Sequence, residues 1–153
     1  MHLCFSSCSI RIKKHIFINK GFSLKKVAID GDDYILIPDV DSVEPLTSKA
    51  FTVAREKHAN TEGFLVREEE DALFAYTNSC PHTGAPLNWT PDQFLTTSRR
   101  YIQCSVHGAM FKMNDGECFS GPCIGKFLKP LRVKEQGGKF YLAYSEVKKS
   151  PSV

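Results

Sequence analysis

Apolar residues recur along this chain in short runs, not at helical spacing. Tyr34–Ile37, Lys49–Val53, Gly63–Arg67, Leu73–Thr77, Tyr101–Gln103, Met110–Met113, Leu131–Val133 and Lys139–Tyr144 are each about strand length and bounded by turn formers. Asn114-Asp-Gly116 and Gln136-Gly-Gly138 favour the positive backbone angles that tight hairpins require. The acidic run Glu68–Asp71 lies between two of the runs and reads as a solvated hairpin turn. No long amphipathic helical pattern and no internal repeat accompanies them. Short strands at this spacing predict an all-β fold, a small antiparallel sandwich or barrel.

Composition adds scale. A chain of 153 residues that is 42% apolar and 11% aromatic can bury one real core, which predicts one domain. Lys and Asp interrupt every apolar run before it reaches the roughly 18 residues of a membrane-spanning helix, so no membrane insertion is expected. The net charge of +3 is unevenly placed. Residues 1–29 carry Arg11, Lys13, Lys14, Lys20, Lys25 and Lys26 and no acid, while the remainder is slightly acidic. A basic nucleic-acid-binding face should belong to the fold and not to one end, so no nucleic-acid partner is expected. The basic, Ser-containing segment has the composition of an organellar transit peptide, with a disordered extension or a start placed too far upstream as the alternatives. The expected layout is an extension over 1–33, a domain over 34–145 and a tail over 146–153. The expected location is cytoplasmic, or organellar if the first segment targets.

The six cysteines are irregularly spaced, which argues against a disulfide framework. Cys4 and Cys8 lie in the basic segment. Cys80-Pro-His82 and Cys104-Ser-Val-His107 each follow a predicted strand and pair one thiol with one imidazole at metal-ligand spacing. Two loops are therefore expected to converge on one site. Structural zinc also takes Cys and His, but zinc sites more often space their first pair by two to four residues. Cys with His in glycine-bearing loops favours an iron–sulfur centre with Cys on one iron and His on the other.

Cys80-Pro-His-Thr-Gly-Ala-Pro-Leu87 and Ile102-Gln-Cys-Ser-Val-His-Gly-Ala-Met-Phe-Lys-Met-Asn-Asp-Gly116 resemble the two cluster-binding boxes of the Rieske family. Gly121-Pro122 followed by Pro130-Leu131 is similar to that family's proline loop beneath the cluster. The resemblance covers about residues 34–145. It implies a Rieske-like β fold with two cluster-binding loops and one [2Fe-2S] cluster per chain, held by Cys80, His82, Cys104 and His107. The 21 residues between His82 and Cys104 are longer than the family pattern and predict an enlarged loop. Lengthening a surface loop costs only about 0.6 kcal/mol per doubling, so ligation is not threatened.

The resemblance also bears on potential. With two thiolates and two neutral imidazoles the oxidised cluster is uncharged, which places Rieske centres at about −150 to +300 mV instead of near −400 mV. Respiratory members carry an extra Cys in each box, where this chain has Ala85 and Val106, and no inter-loop disulfide is possible. Those members also place Ser and Tyr hydroxyls where this chain has Ala109 and Phe111, so two hydrogen bonds to the cluster sulfurs are missing. The low end of the range is expected. A complete oxygenase should add a catalytic iron domain, for which the residues after 145 leave no room. The expectation is a monomeric one-electron carrier that takes electrons from a reductase and hands them to an oxygenase or other acceptor. A subunit of a multi-component oxidoreductase and a redox-sensing module are the alternatives.

Three other features invite a function. Cys118 and Cys123 flank Gly121-Pro122 and could form a redox disulfide, but small buried cysteines are commonly packing residues, and packing is the expectation. Trp89, Phe94 and Tyr101 are expected to be core. His58 in Arg55-Glu-Lys-His58 is expected to be a surface residue.

Overall fold

The computed structural model describes residues 24–54 and 59–148. The calls on the basic segment 1–23, including Cys4 and Cys8, on His58, and on residues 149–153 lie outside the described residues.

Among the described residues, ten strands and one short helix follow in chain order: β1 Lys26–Ile29, β2 Asp32–Leu36, β3 Ser48–Val53, β4 Thr61–Arg67, β5 Leu73–Thr77, β6 Ile102–Gln103, β7 Met110–Phe111, β8 Cys118–Ser120, β9 Val133–Gln136, β10 Lys139–Ala143 and α1 Tyr144–Lys148. They form three antiparallel sheets with strand orders β1-β2-β10-β9, β3-β4-β5 and β6-β7-β8. The all-β expectation holds, and the Glu68–Asp71 and Gln136–Gly138 turns fall where the composition places them.

The middle sheet holds the molecule together because β4 is buried on both faces from Gly63 onward. Alternate side chains of a strand point to opposite faces. Leu65 therefore enters a core with Ile35, Ile37, Phe51, Phe140, Leu142 and Val147, shared with the four-stranded sheet. Phe64 and Val66 enter a second core with Tyr76, Phe94, Ile102, Phe111, Leu128 and four cysteines, shared with the small third sheet. Phe64 stacks on Phe94 with ring centroids 4.1 Å apart and planes 8° off parallel. Tyr76 donates its buried hydroxyl to the Met113 carbonyl at 2.6 Å, tying the middle sheet to the turn after β7.

Two domain limits need correction. β1 lies inside the stretch 1–33 expected to stand outside the fold, and it pairs with β2 from Lys26–Ile35 to Ile29–Asp32. Lys25 and Lys26 keep their charges in solvent while Ile29 is buried, so a basic run and a half-buried strand coexist. At the other end, α1 crosses the expected limit at 145 and buries Val147 in the first core.

The aromatic expectation holds for Phe94 alone. Trp89 is 78% exposed and Tyr101 is 40% exposed. The long segment between the boxes is a series of turns, and only its return past Phe94 rejoins a sheet, where Gln103 N–H donates to the Phe94 carbonyl. Asp92 clamps that segment to β3. Its main-chain oxygen accepts from Ser48 Oγ at 2.6 Å, and its carboxylate accepts from the Ala50 N–H at 2.8 Å and Lys49 Nζ at 2.9 Å. Burial alone would push this carboxyl up, but the Ala50 N–H and the Lys49 charge hold it below the usual carboxylate range.

Candidate metal centre

Each cysteine–histidine pair sits on a loop with the same internal wiring. In the first, Cys80 N–H donates to the Ala85 carbonyl at 2.8 Å and Gly84 N–H donates to the Cys80 carbonyl at 2.7 Å. In the second, Cys104 N–H donates to the Ala109 carbonyl at 2.8 Å and Gly108 N–H to the Cys104 carbonyl at 2.9 Å. The common element is Cys-x-x-x-Gly-Ala, with the glycine at φ 77° in one loop and 70° in the other. That backbone region is open to glycine and strained for most side chains, which is why the tight reversal falls there in both.

The loops are fastened to one another and to the fold. Ser105 N–H donates to the Leu87 carbonyl at 2.7 Å, joining the second loop to the end of the first. Asn78 Oδ1 accepts from the Leu87 N–H at 2.8 Å, and Asn78 Nδ2 donates to Asn88 Oδ1 at 2.9 Å. A third loop leans on both. Lys126 Nζ reaches the Pro81 carbonyl at 3.4 Å, and Gly121 lies against Ala109 so closely that a Cβ there would meet the Ala109 Cα at 2.7 Å.

On this framework the four expected ligands fall into two pairs, one buried and one exposed. Cys80 and Cys104 are each 1% exposed and lie in the same buried cluster. Burial pushes the Cys80 thiol up, while the His82 and Thr83 backbone N–H groups point at it and work the other way. Those donors favour a thiolate once a metal ion compensates its charge. Above them, His82 and His107 are exposed, with Nδ1 atoms 3.3 Å apart and rings nearly perpendicular at 79°. Two sulfur donors beneath two nitrogen donors are the chemistry that a mixed-ligand two-iron cluster takes. Ala109 and Phe111 are fully buried in the same core and bring no hydroxyl to the site.

Reasoning along the chain did not find Asp92, the clamp on the long segment, or the approach of Gly121 to Ala109. Asp92 carries only a weak signal, an Asp after Pro91 in a turn-rich stretch. For Cys118 and Cys123 the expectation from the sequence is packing. Their sulfurs lie 3.2 Å apart, and Cys123 shares its buried cluster with Cys80.

An all-β domain that offers two such Cys/His loops side by side has the construction of a mixed-ligand iron–sulfur protein. The family model described as Rieske [2Fe-2S] domain matches residues 33–142, and the chain belongs to that family. The domain binds a [2Fe-2S] cluster. Among solved structures, the ferredoxin of carbazole 1,9a-dioxygenase from Nocardioides aromaticivorans IC177 is similar at 21% identity and a TM-score of 0.53, over 72% of this chain and 96% of that one. The ferredoxin–oxygenase complex of carbazole 1,9a-dioxygenase gives 23% identity and a TM-score of 0.52, over 72% of this chain and 92% of that one. The quaternary ammonium Rieske monooxygenase CntA with L-carnitine gives 19% identity and a TM-score of 0.51, but this chain covers only 31% of it. At these identities the likeness is one of fold. No curated protein matches the chain. Among the described residues no helix is long and apolar enough to cross a membrane.

Proposed function

We propose that this protein is a one-electron carrier in which Cys80 and Cys104 ligate one iron of the cluster and His82 and His107 the other. The observation that carries this reading is the layering of the donors, with two buried thiols under two exposed imidazoles. When bound, the cluster supplies a single-electron redox couple and no bond chemistry of its own. The paired loops hold the four donors in place, and the sulfur side is kept from water by the core around Phe94, Ile102 and Phe111. The exposed imidazoles form the edge through which an electron enters and leaves. Electron-transfer encounters of this kind use small, weakly bound interfaces, which suits exposed ligands on a compact domain.

In this reading the partners are a reductase as donor and an oxygenase or similar oxidoreductase as acceptor. Two similar structures support this direction, one of a dioxygenase ferredoxin and one of a ferredoxin bound to its oxygenase. Ala109 and Phe111 supply no hydroxyl donor to the cluster sulfurs, so the potential belongs at the low end of the Rieske range. Visible absorption and electron paramagnetic resonance on protein purified without oxygen test the assignment. A reduced spectrum with the low average g-value of mixed Cys/His ligation is expected, and Cys80→Ser and Cys104→Ser should lose iron and sulfide together. A colourless zinc protein would overturn it. Rapid electron exchange by the isolated monomer is expected of a carrier, whereas constant copurification with a catalytic subunit would replace that reading with a fixed subunit.

A further inference from the structure

Among the described residues, Cys118 and Cys123 are the two cysteines that the cluster reading does not use. Both are buried, and β8 with the turn after it sets their sulfurs face to face at 3.2 Å. The backbone keeps them there. Cys118 N–H donates to the Lys126 carbonyl, Gly125 N–H to the Cys118 carbonyl and Lys126 N–H to the Cys123 carbonyl, all within 2.8 to 2.9 Å. Closing to a disulfide needs the sulfurs to move to about 2.0 Å, a step of about 1 Å that small side-chain rotations supply. Four residues separate the two, so a bond here would remove little entropy from the unfolded chain and is poorly suited as a stability staple. Gly121, Pro122, Ile124 and Gly125 are exposed, which leaves the sulfur pair just under the surface. Packing cysteines need no sulfur partner, yet each of these has one.

We propose that Cys118 and Cys123 form a redox-active pair, a dithiol beneath the first cluster loop that hydrogen peroxide closes to a disulfide and a dithiol reductant reopens. One sulfur attacks a peroxide oxygen, the O–O bond breaks, water leaves and that sulfur becomes a sulfenic acid. The second sulfur attacks the first and displaces a second water. Two S–H bonds are lost and one S–S bond forms; the thiols give up two electrons and the peroxide becomes two waters. Disulfide exchange with the reductant reverses the change, leaving both thiols and the oxidised reductant. The link to the cluster rests on the ligand assignment above. Cys80 and Cys123 belong to the same buried cluster of side chains, so closing the pair alters the packing under the first ligand loop.

The full-length holoprotein, purified without oxygen, is titrated with hydrogen peroxide while the cluster is followed by visible absorption. Samples are denatured, alkylated and mapped cysteine by cysteine by mass spectrometry. The expected result is a Cys118–Cys123 crosslink, lighter by two hydrogen atoms, that forms while cluster absorption is retained and that dithiothreitol reverses. Cys118→Ser should abolish the crosslink without removing the cluster. Both cysteines remaining alkylatable, or a crosslink that appears only as the cluster bleaches, would overturn the proposal. A preparation that never holds a cluster counts against the ligand assignment, and the same map still decides whether the pair closes.

Discussion

Alanine at Gly121 should force the third loop away from the second cluster loop. Gly121 has φ 105°, and the Cβ of an alanine there would meet three atoms of Ala109, the Cα at 2.7 Å, the Cβ at 3.1 Å and the backbone N at 3.3 Å. Left-handed backbone costs a side-chain-bearing residue about 1–2 kcal/mol. Overpacking against groups that cannot swing aside adds about 1–3 kcal/mol, and Ala109 is fully buried with its carbonyl engaged by Cys104 N–H. The sum is about 2–5 kcal/mol, a large share of the roughly 5–15 kcal/mol that stabilises a domain of this size. Gly108 is the internal control. Its φ is 70°, and an added Cβ would meet nothing within 4 Å, so Gly108→Ala should cost only the backbone part, about 1–2 kcal/mol. Urea unfolding by circular dichroism reads the two losses, and visible absorption reads cluster content in the same samples. Gly121→Ala should also hold less cluster, because the clash falls on the residue that closes the Cys104 loop. Equal destabilisation by the two variants would refute the steric argument.

Other residues give separate checks. Tyr76→Phe removes the only hydroxyl bonded to the buried Met113 carbonyl that the structure shows and should cost about 1–3 kcal/mol in urea unfolding, as for any buried acceptor left unsatisfied. Asp92→Asn should destabilise by at most about 1 kcal/mol near neutral pH, because the Lys49 pair is partly exposed. The folded Asp92 carboxyl lies below its unfolded value, so its contribution is complete above about pH 4 and is lost as pH falls through the folded value. The gap between wild type and Asp92→Asn should therefore close in acid, and a gap independent of pH would refute the clamp. Phe94→Ala should cost about 3–5 kcal/mol, whereas Trp89→Ala should stay within about 0.5 kcal/mol, and thermal melts of the two decide whether only Phe94 belongs to the core.

Much of this protein is written in local pattern. Leu73–Thr77 is a strand at the residues its apolar run marks, and the Glu68–Asp71 turn follows from acidic residues that must stay in water. The two ligand loops were legible because a Cys-x-x-x-Gly-Ala stretch encodes its own reversal: the glycine permits the turn, and its N–H closes back on the cysteine carbonyl. Both pairs could therefore be located before any long-range contact was known.

Other features depend on partners distant in the chain. β1 was hidden because four residues beside a basic run carry too little alternation to be read as a strand until β2 pairs with them. β8 was hidden for a similar reason, with only Cys118 buried among its three residues. Trp89 and Phe94 have the same aromatic character and sit five positions apart, yet only Phe94 meets a ring, that of Phe64 thirty residues earlier. Asp92 acquires its role only when β3 comes beside it. The sequence alone therefore determined the β class, the two loops and the donor types, all of which are set by residues within a few positions of one another. Tertiary structure decided which layer each donor occupies, how closely Gly121 meets Ala109 and that Cys123 faces Cys118. Burial and distance between remote segments are properties of the packed core, and no local pattern encodes them.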